Sequence, residues 1–392
     1  MALACGLATL LILAIKGKIY LPKRYMLLLG YYILVIVMGV VINGTPPKQI
    51  ILGIRAYLKF LPFFLLPAVY RFSDDDIKKQ LRVLLFLMLL QMPIAFYQRF
   101  VEYAGVPTGD VVTGTLKTSN VLSMALLCTL AYLLVAFFDK RIGWKKFVIC
   151  SLLLLLPTTI NETKGTLLFL PIILAIPLFL YNKISFKTLL YLNIAFIVVI
   201  IMAFSINTAN EAILSEKRHS TSIWQYISDL NIVKEYLLGS KLPREDGNIR
   251  RIRAILFAIE GISESPVSIG IGYGIGTVMD SKFKSPGEYE YYFTRGAEKM
   301  TSVQMLWEIG ILGLLVNFIL YLFVLKDSLF IAFKDGLNGF IGKSHFTVTV
   351  VTLLVSWIYF NTLRENIFTV IFWYLSGVVV SRAHIDKIGL VK

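Results

Sequence analysis

Charge is scarce in this sequence: Asp, Glu, Lys and Arg make up 16% of its 392 residues, against about 25% in an ordinary soluble domain. That shortage excludes a water-soluble fold of this length. Cysteine and histidine are scarcer still. Cys5, Cys128 and Cys150 all lie in apolar blocks, which argues against a disulfide framework or a cysteine metal site. His219, His345 and His384 are far apart in the chain, so no metal-ligand cluster can be read. A basic n-region and a cleavage site are both missing at the N-terminus. The first residues therefore read as a short span ending near Ile15 and not as a removable signal peptide. Matching halves of the kind found in many transporters are absent too.

What is present is apolar: 57% of the residues are hydrophobic and the mean hydropathy is +0.74. They come in long blocks, many reaching the roughly 20 residues that cross a hydrocarbon core. Candidate spans lie at about 1–15, 25–43, 50–70, 82–103, 119–138, 146–160, 165–181, 186–206, 301–325, 345–361 and 365–381. The expected fold is an all-α integral membrane protein, a polytopic bundle of about 11 transmembrane helices with one large, mainly helical loop. Hydropathy divides the chain into an N-terminal bundle (1–206), the loop (207–300) and C-terminal spans (301–392).

The net charge is +15. In a membrane protein its first explanation is topological, and an anionic substrate is the second; nucleic acid is not needed. Alternate loops differ sharply. One set holds Lys16, Lys18, Lys23 and Arg24, then Arg71, Lys78, Lys79 and Arg82, then Lys140, Arg141, Lys145 and Lys146. It continues with Lys183 and Lys187, Lys326, Lys334 and Lys343, and Arg382, Lys387 and Lys392. The other short loops hold little beyond Lys48, Lys117, Lys164 and Arg364. The first set is expected in the cytoplasm, with the C-terminus, and the long loop outside. This parity places the N-terminus outside, so either an upstream helix precedes the chain or its first segment does not cross.

The long loop has its own pattern. An amphipathic stretch (223–230) precedes Arg250, Arg251 and Arg253; a helical run (254–260), glycines from Gly270 to Gly276, and an acidic-aromatic patch (288–293) follow. A loop this long is more often functional than a connector. The three arginines can add to a helix N-terminus in binding an anion; a solvated basic face is the plainer reading. The glycines match a dinucleotide fingerprint only loosely, so a tight, closely packed turn is favoured, with a phosphate-binding nest as the alternative. Arg55 and Lys59 share a helix face at i, i+4 inside the third span. They face a cavity or a partner, or else snorkel to the interface. Lys164, in the short turn 161–165, is a solvated partner of Glu162 or a cation awaiting an anion.

Taken in order, several segments resemble the O-antigen ligase/polymerase family. Gly114-Thr-Leu-Lys-Thr-Ser-Asn120 looks like its Gly-Thr-Phe-x-x-x-Asn stretch, and Asn161-Glu-Thr-Lys-Gly165 resembles its Ser-x-Ser-Arg turn, with Lys164 in place of the arginine. Arg251, Pro266 and Gly270-x-Gly272 resemble its loop motif, and Gln304-Met-Leu-Trp-Glu-Ile-Gly-Ile-Leu-Gly313 its Leu-x-x-Glu-x-Gly-x-x-Gly segment. The likeness covers about residues 50–325.

The resemblance implies a GT-C-like glycosyltransferase of the bacterial inner (cytoplasmic) membrane, working on O-antigen, capsule or exopolysaccharide. Its donor would be an undecaprenyl-pyrophosphate-linked oligosaccharide and its acceptor a glycan or lipid, with membrane lipids around it and a chain-length regulator as a candidate partner. No metal or other cofactor is expected. Fixed cations would stabilise the leaving pyrophosphate: Lys164 and Arg251 first, then Arg250, Arg253, Arg55, Lys59 and Lys299. The loop would bring Arg251 toward Lys164. The His-Asn pair that ligases carry about nine residues before the glutamate is replaced by Lys299-Met300, which favours a polymerase over a ligase. Glu298, Glu290, Glu288 and His219 are the candidates for the missing base. A lipid-linked oligosaccharide flippase is the competing reading.

Overall fold

Backbone N–H and C=O groups in hydrocarbon must be satisfied within their own segment, and the apolar blocks of this chain accordingly fold as α-helices. The structure, a computed structural model, describes residues 15, 20–106, 108–161, 163, 165–181, 251–278 and 300–388, and no strand occurs among them. Their helices are α1 (Lys23–Ile42), α2 (Pro47–Leu58), α3 (Leu61–Val69), α4 (Asp74–Leu89), α5 (Gln91–Tyr97), α6 (Ser119–Phe138), α7 (Trp144–Ile160) and α8 (Gly165–Leu180). They continue with α9 (Arg251–Ile262), α10 (Pro266–Ile271), α11 (Thr301–Ala332), α12 (Gly336–Ile358) and α13 (Asn366–Lys387).

Six of the described helical stretches are long and apolar enough to cross a membrane, and a seventh is added if the bent pair α2–α3 is one span. This is the pattern of a helical multi-pass membrane protein. The six are α1, the Asp74–Glu102 run that begins with α4 and α5, α6, α11, α12 and α13. Helices α7 and α8 occupy the expected spans 146–160 and 165–181 but, at 17 and 16 residues, are shorter than the six. The expected span 186–206 and nearly all of span 1–15 lie outside the described residues, as do 207–250 and 279–299 of the long loop.

Three expected spans differ in detail. The third is not straight: α2 and α3 meet at 44°, because Pro62 near the start of α3 has no N–H to donate to the preceding turn. The span expected at 301–325 runs to Ala332 and is broken at Gly310, whose φ of 63° and ψ of −167° are not helical. The span expected at 345–361 begins at Gly336. Its first turns are too polar for a hydropathy window, and their polar groups find partners inside the protein. The run expected at 254–260 starts at Arg251, so Arg251 and Arg253 stand in the first turn of α9 instead of preceding it.

The chain divides into two compact units that cut across the hydropathy division. One comprises Met1–Arg71, Tyr226–Asp327 and Thr352–Lys392; the other comprises Phe72–Gln225 and Ser328–Val351.

In the first unit α3 lies along α13. Phe60 and Phe64 pack on Trp373, with ring centroids 4.6 and 5.8 Å apart. A Cβ on Gly377 would collide with the Phe64 carbonyl. Lipid tails are as apolar as these rings, so close approach at small residues supplies the packing energy. At one end of the unit Asp327, fully buried, accepts hydrogen bonds from Arg24 at 2.5 Å, Tyr25 at 2.9 Å and Lys387 at 3.0 Å. The start of α1, the far part of α11 and the end of α13 therefore share that end.

In the second unit α6 is the most buried helix. Asp139 at its C-terminus pairs with Lys343 at 3.1 Å and Arg141 at 3.6 Å, and accepts from the Tyr181 hydroxyl at 2.5 Å. Within its span the Tyr132 hydroxyl and His345 Nδ1 are 3.2 Å apart. The other end of α6 is tied to the end of α7: Asn161 donates to the Ser119 carbonyl at 3.1 Å and to the Ser123 hydroxyl at 2.9 Å.

Candidate functional site

The connection between α12 and α13 is buried and polar. Asn361, Thr362 and Glu365 are all buried, and residues 362–364 form a single 3-10 turn capped by Asn361, whose Oδ1 accepts from Leu363 N–H at 3.1 Å. Such a turn exposes carbonyls that a hydrocarbon environment cannot satisfy, and cations supply the donors.

Two cations from other elements do so, and a third belongs to the turn itself. Lys59, at the α2–α3 bend, donates to the Leu363 carbonyl at 2.5 Å and to Asn366 Oδ1 at 3.0 Å. Arg251, at the start of α9, donates through Nε to the Tyr359 carbonyl at 2.8 Å, with its guanidinium 4.7 Å from the centre of the Tyr359 ring. Arg364, in the turn itself, donates to the Val278 carbonyl at 3.1 Å and to Gln304 Oε1 at 3.4 Å. The position of α9 explains Arg251: Ala254, Ala258 and Ile262, at i, i+4 and i+8, are buried against Val303, Leu306 and Trp307 of α11.

The glycine segment builds the neighbouring wall. After α10, Gly272, Gly274 and Gly276 all take positive φ, at 67°, 96° and 80°. The turn they form docks on the break in α11. At a break the carbonyls of the preceding turn lose their helical donors, and here Tyr273 and Gly274 N–H replace them, donating to the Trp307 and Glu308 carbonyls at 2.8 and 3.0 Å. No side chain fits between: a Cβ on Gly272 would lie 2.6 Å from the Trp307 carbonyl, and one on Gly310 2.6 Å from Gly272 N. Of the readings open to these glycines, the tight, closely packed turn is the one observed.

Glu308, fully buried beside the break, accepts from Val278 N–H at 3.0 Å and from Gln304 Nε2 at 3.1 Å. Gln304 Oε1 in turn accepts from Asn361 Nδ2 at 2.5 Å. Thr301 and Thr362 hydroxyls lie 3.0 Å apart and complete a polar cluster that reaches Ser356.

Of the expected site residues, Arg251 and Lys59 are brought to one turn. Lys59 is buried and does not snorkel, whereas Arg55, one helical turn earlier, is exposed. The i, i+4 pair thus divides, because the chain bends at Lys59. Arg253 is half-buried on α9. Lys164, Arg250, Lys299, Glu288, Glu290, Glu298 and His219 lie outside the described residues, as does any approach of Arg251 to Lys164. Arg364, Asn361 and Gln304 were not singled out for the site. Arg364 carried a signal, as one of the few cations in the loop set otherwise poor in them.

The Gly114–Asn120 stretch serves a local purpose in the second unit. Gln98 Oε1 accepts from Thr113 and Gly114 N–H at 3.1 and 2.7 Å, and Gln91 Oε1 accepts from Thr115 N–H at 2.9 Å. Thr118 caps α6 through Val121 N–H. Thr163 in the 161–165 turn and Thr166 at the start of α8 have buried hydroxyls with no hydrogen-bond partner among the described residues. Among the described residues no group of three or more His, Cys, Asp or Glu side chains converges. No protein-family model matches the chain, and no curated protein matches it either.

Proposed function

We propose that the protein is a membrane glycosyltransferase of surface-polysaccharide assembly, a polymerase in preference to a ligase, that takes glycans from an undecaprenyl-pyrophosphate donor. The observation that carries this reading is the convergence of Lys59, Arg251 and Arg364 on the short turn 359–366. In the reaction an acceptor hydroxyl oxygen bonds to the anomeric carbon. The bond from that carbon to the carrier phosphate breaks, the pyrophosphate keeps the electron pair, and a base takes the hydroxyl proton. Charge grows on the pyrophosphate, and cations already held in place stabilise it without reorganising. Arginine forks match phosphate oxygens in pairs. Glu290, Glu298 and His219 stay the candidates for the base, and Lys164, Arg250, Arg253 and Lys299 for further phosphate contacts, on the family resemblance. The site would face outward in the bacterial inner membrane, and glycan acceptor, lipid carrier and a chain-length regulator would be its partners.

One observation favours the flippase reading: α11 is broken and α2–α3 is bent, and transporters bind substrates at discontinuous helices. Against it, the break at Gly310 does not open its backbone to a cavity, since the 272–276 turn fills it.

Purified protein in nanodiscs, given an undecaprenyl-pyrophosphate oligosaccharide and an acceptor glycan, is expected to lengthen the glycan and release the carrier pyrophosphate. Arg251→Ala and Lys164→Ala should each slow this by about a hundredfold or more while leaving insertion intact. Donor movement across liposomes with no turnover would overturn the proposal, and near-normal rates in both variants would misplace the pyrophosphate.

A further inference from the structure

We infer that Glu308 is a positioning residue: through Gln304 and Val278 it sets the guanidinium of Arg364 at the 359–366 turn. Its importance for catalysis rests on the transferase reading; its effect on Arg364 does not. Four hydrogen bonds close a ring. Val278 N–H donates to Glu308 Oε1 at 3.0 Å, and the Val278 carbonyl accepts from Arg364 Nη2 at 3.1 Å. Arg364 Nε donates to Gln304 Oε1 at 3.4 Å, and Gln304 Nε2 donates to Glu308 Oε2 at 3.1 Å.

The direction of every bond in this ring is forced. A guanidinium and a backbone N–H can only donate. Gln304 must therefore turn its oxygen to Arg364, which Asn361 Nδ2 enforces at 2.5 Å, and its nitrogen to Glu308. Glu308 is left to accept on both oxygens, which a carboxylate does and a carboxamide cannot. The Tyr57 hydroxyl donates to the Gln304 carbonyl at 3.4 Å. A fully buried carboxylate in a membrane-spanning helix is costly. A neutral side chain would serve packing alone; only two fixed acceptors hold Gln304 and Val278 in the sense Arg364 needs.

Glu308→Gln places an N–H against the N–H of Val278 or of Gln304. The exchange Gln304→Glu with Glu308→Gln restores the sense throughout: the carboxylate introduced at position 304 accepts from Arg364, Asn361 and the new amide, and the amide oxygen accepts from Val278. The experiment measures two things on the detergent-purified full chain. One is labelling of Arg364 by phenylglyoxal, read by mass spectrometry. The other is the KM for undecaprenyl-pyrophosphate oligosaccharide, with kcat and melting temperature alongside.

Glu308→Gln should change Arg364 labelling several-fold, raise KM by about tenfold or more and lower the melting temperature modestly, and the exchange should restore all three. Labelling and KM of Glu308→Gln within about twofold of the parent protein would overturn the inference. If the single variant does not fold, the exchange carries the test, and an exchange that folds with altered Arg364 labelling overturns it. If the parent protein turns over no donor while labelling behaves as stated, the transferase reading falls and the Glu308–Arg364 linkage stands.

Discussion

Asp327 illustrates how single charges are managed in this protein. It is fully buried, yet Arg24, Lys387 and Tyr25 all donate to it. Removing one partner of a buried pair leaves uncompensated charge, which costs about 3–5 kcal/mol. Asp327→Ala is therefore expected to lower stability by about that amount, read as a drop in melting temperature in detergent, while Asp75→Ala, whose partner Lys78 is exposed, should stay within about 1 kcal/mol of the parent protein. At this scale the sequence was only half legible. The cations of the basic loops were visible as a set, but within their own units Arg24 and Lys387 pair with Asp327 and Lys343 pairs with Asp139. Lys59 could be read as buried or snorkelling, and its partners, Leu363 and Asn366, are too distant in sequence to have decided it.

Helices were the most legible level, because span length and hydropathy follow from bilayer thickness. Span 119–138 coincides with α6. Breaks were not legible. Glycine is nearly neutral in hydropathy, and what makes Gly310 a break is the docked turn around Gly272, far away in the chain. Both residues hold a backbone conformation essentially reserved for glycine. Gly310→Ala and Gly272→Ala should each destabilise by at least about 1–3 kcal/mol, more if the docked turn is displaced. Gly30, exposed on α1 with open space around its Cα, provides the contrast: Gly30→Ala should be neutral or stabilising by up to about 1 kcal/mol. Equal losses at all three positions would remove the docked-turn explanation.

At the largest scale, each unit has two ends held by different polar contacts. In the first unit, Arg24, Asp327 and Lys387 lie together, and the end of α1 meets the glycine turn, where Asn43 donates to the Gly272 carbonyl at 3.1 Å. In the second, Asp139, Lys343 and Tyr181 share one end and Asn161 and Ser119 the other. The orientation expected from the basic loops is open to a direct test: with Cys5, Cys128 and Cys150 replaced, Lys48→Cys should react with a membrane-impermeant maleimide on intact cells, and Lys334→Cys only after permeabilisation. The reverse pattern would invert the orientation and place the 359–366 turn in the cytoplasm.

The proposed transferase places a pyrophosphate-linked donor at the 359–366 turn. A benzophenone side chain introduced at Ile358, 44% exposed beside that turn, tests it most directly against undecaprenyl-pyrophosphate oligosaccharide in nanodiscs. The same probe at Phe333, 68% exposed at the α11–α12 connection, serves as the control. Donor crosslinking is expected at 358, abolished by Arg251→Ala together with Arg364→Ala, and little at 333. Equal crosslinking at both positions, or crosslinking at 358 that survives loss of both arginines, would contradict it.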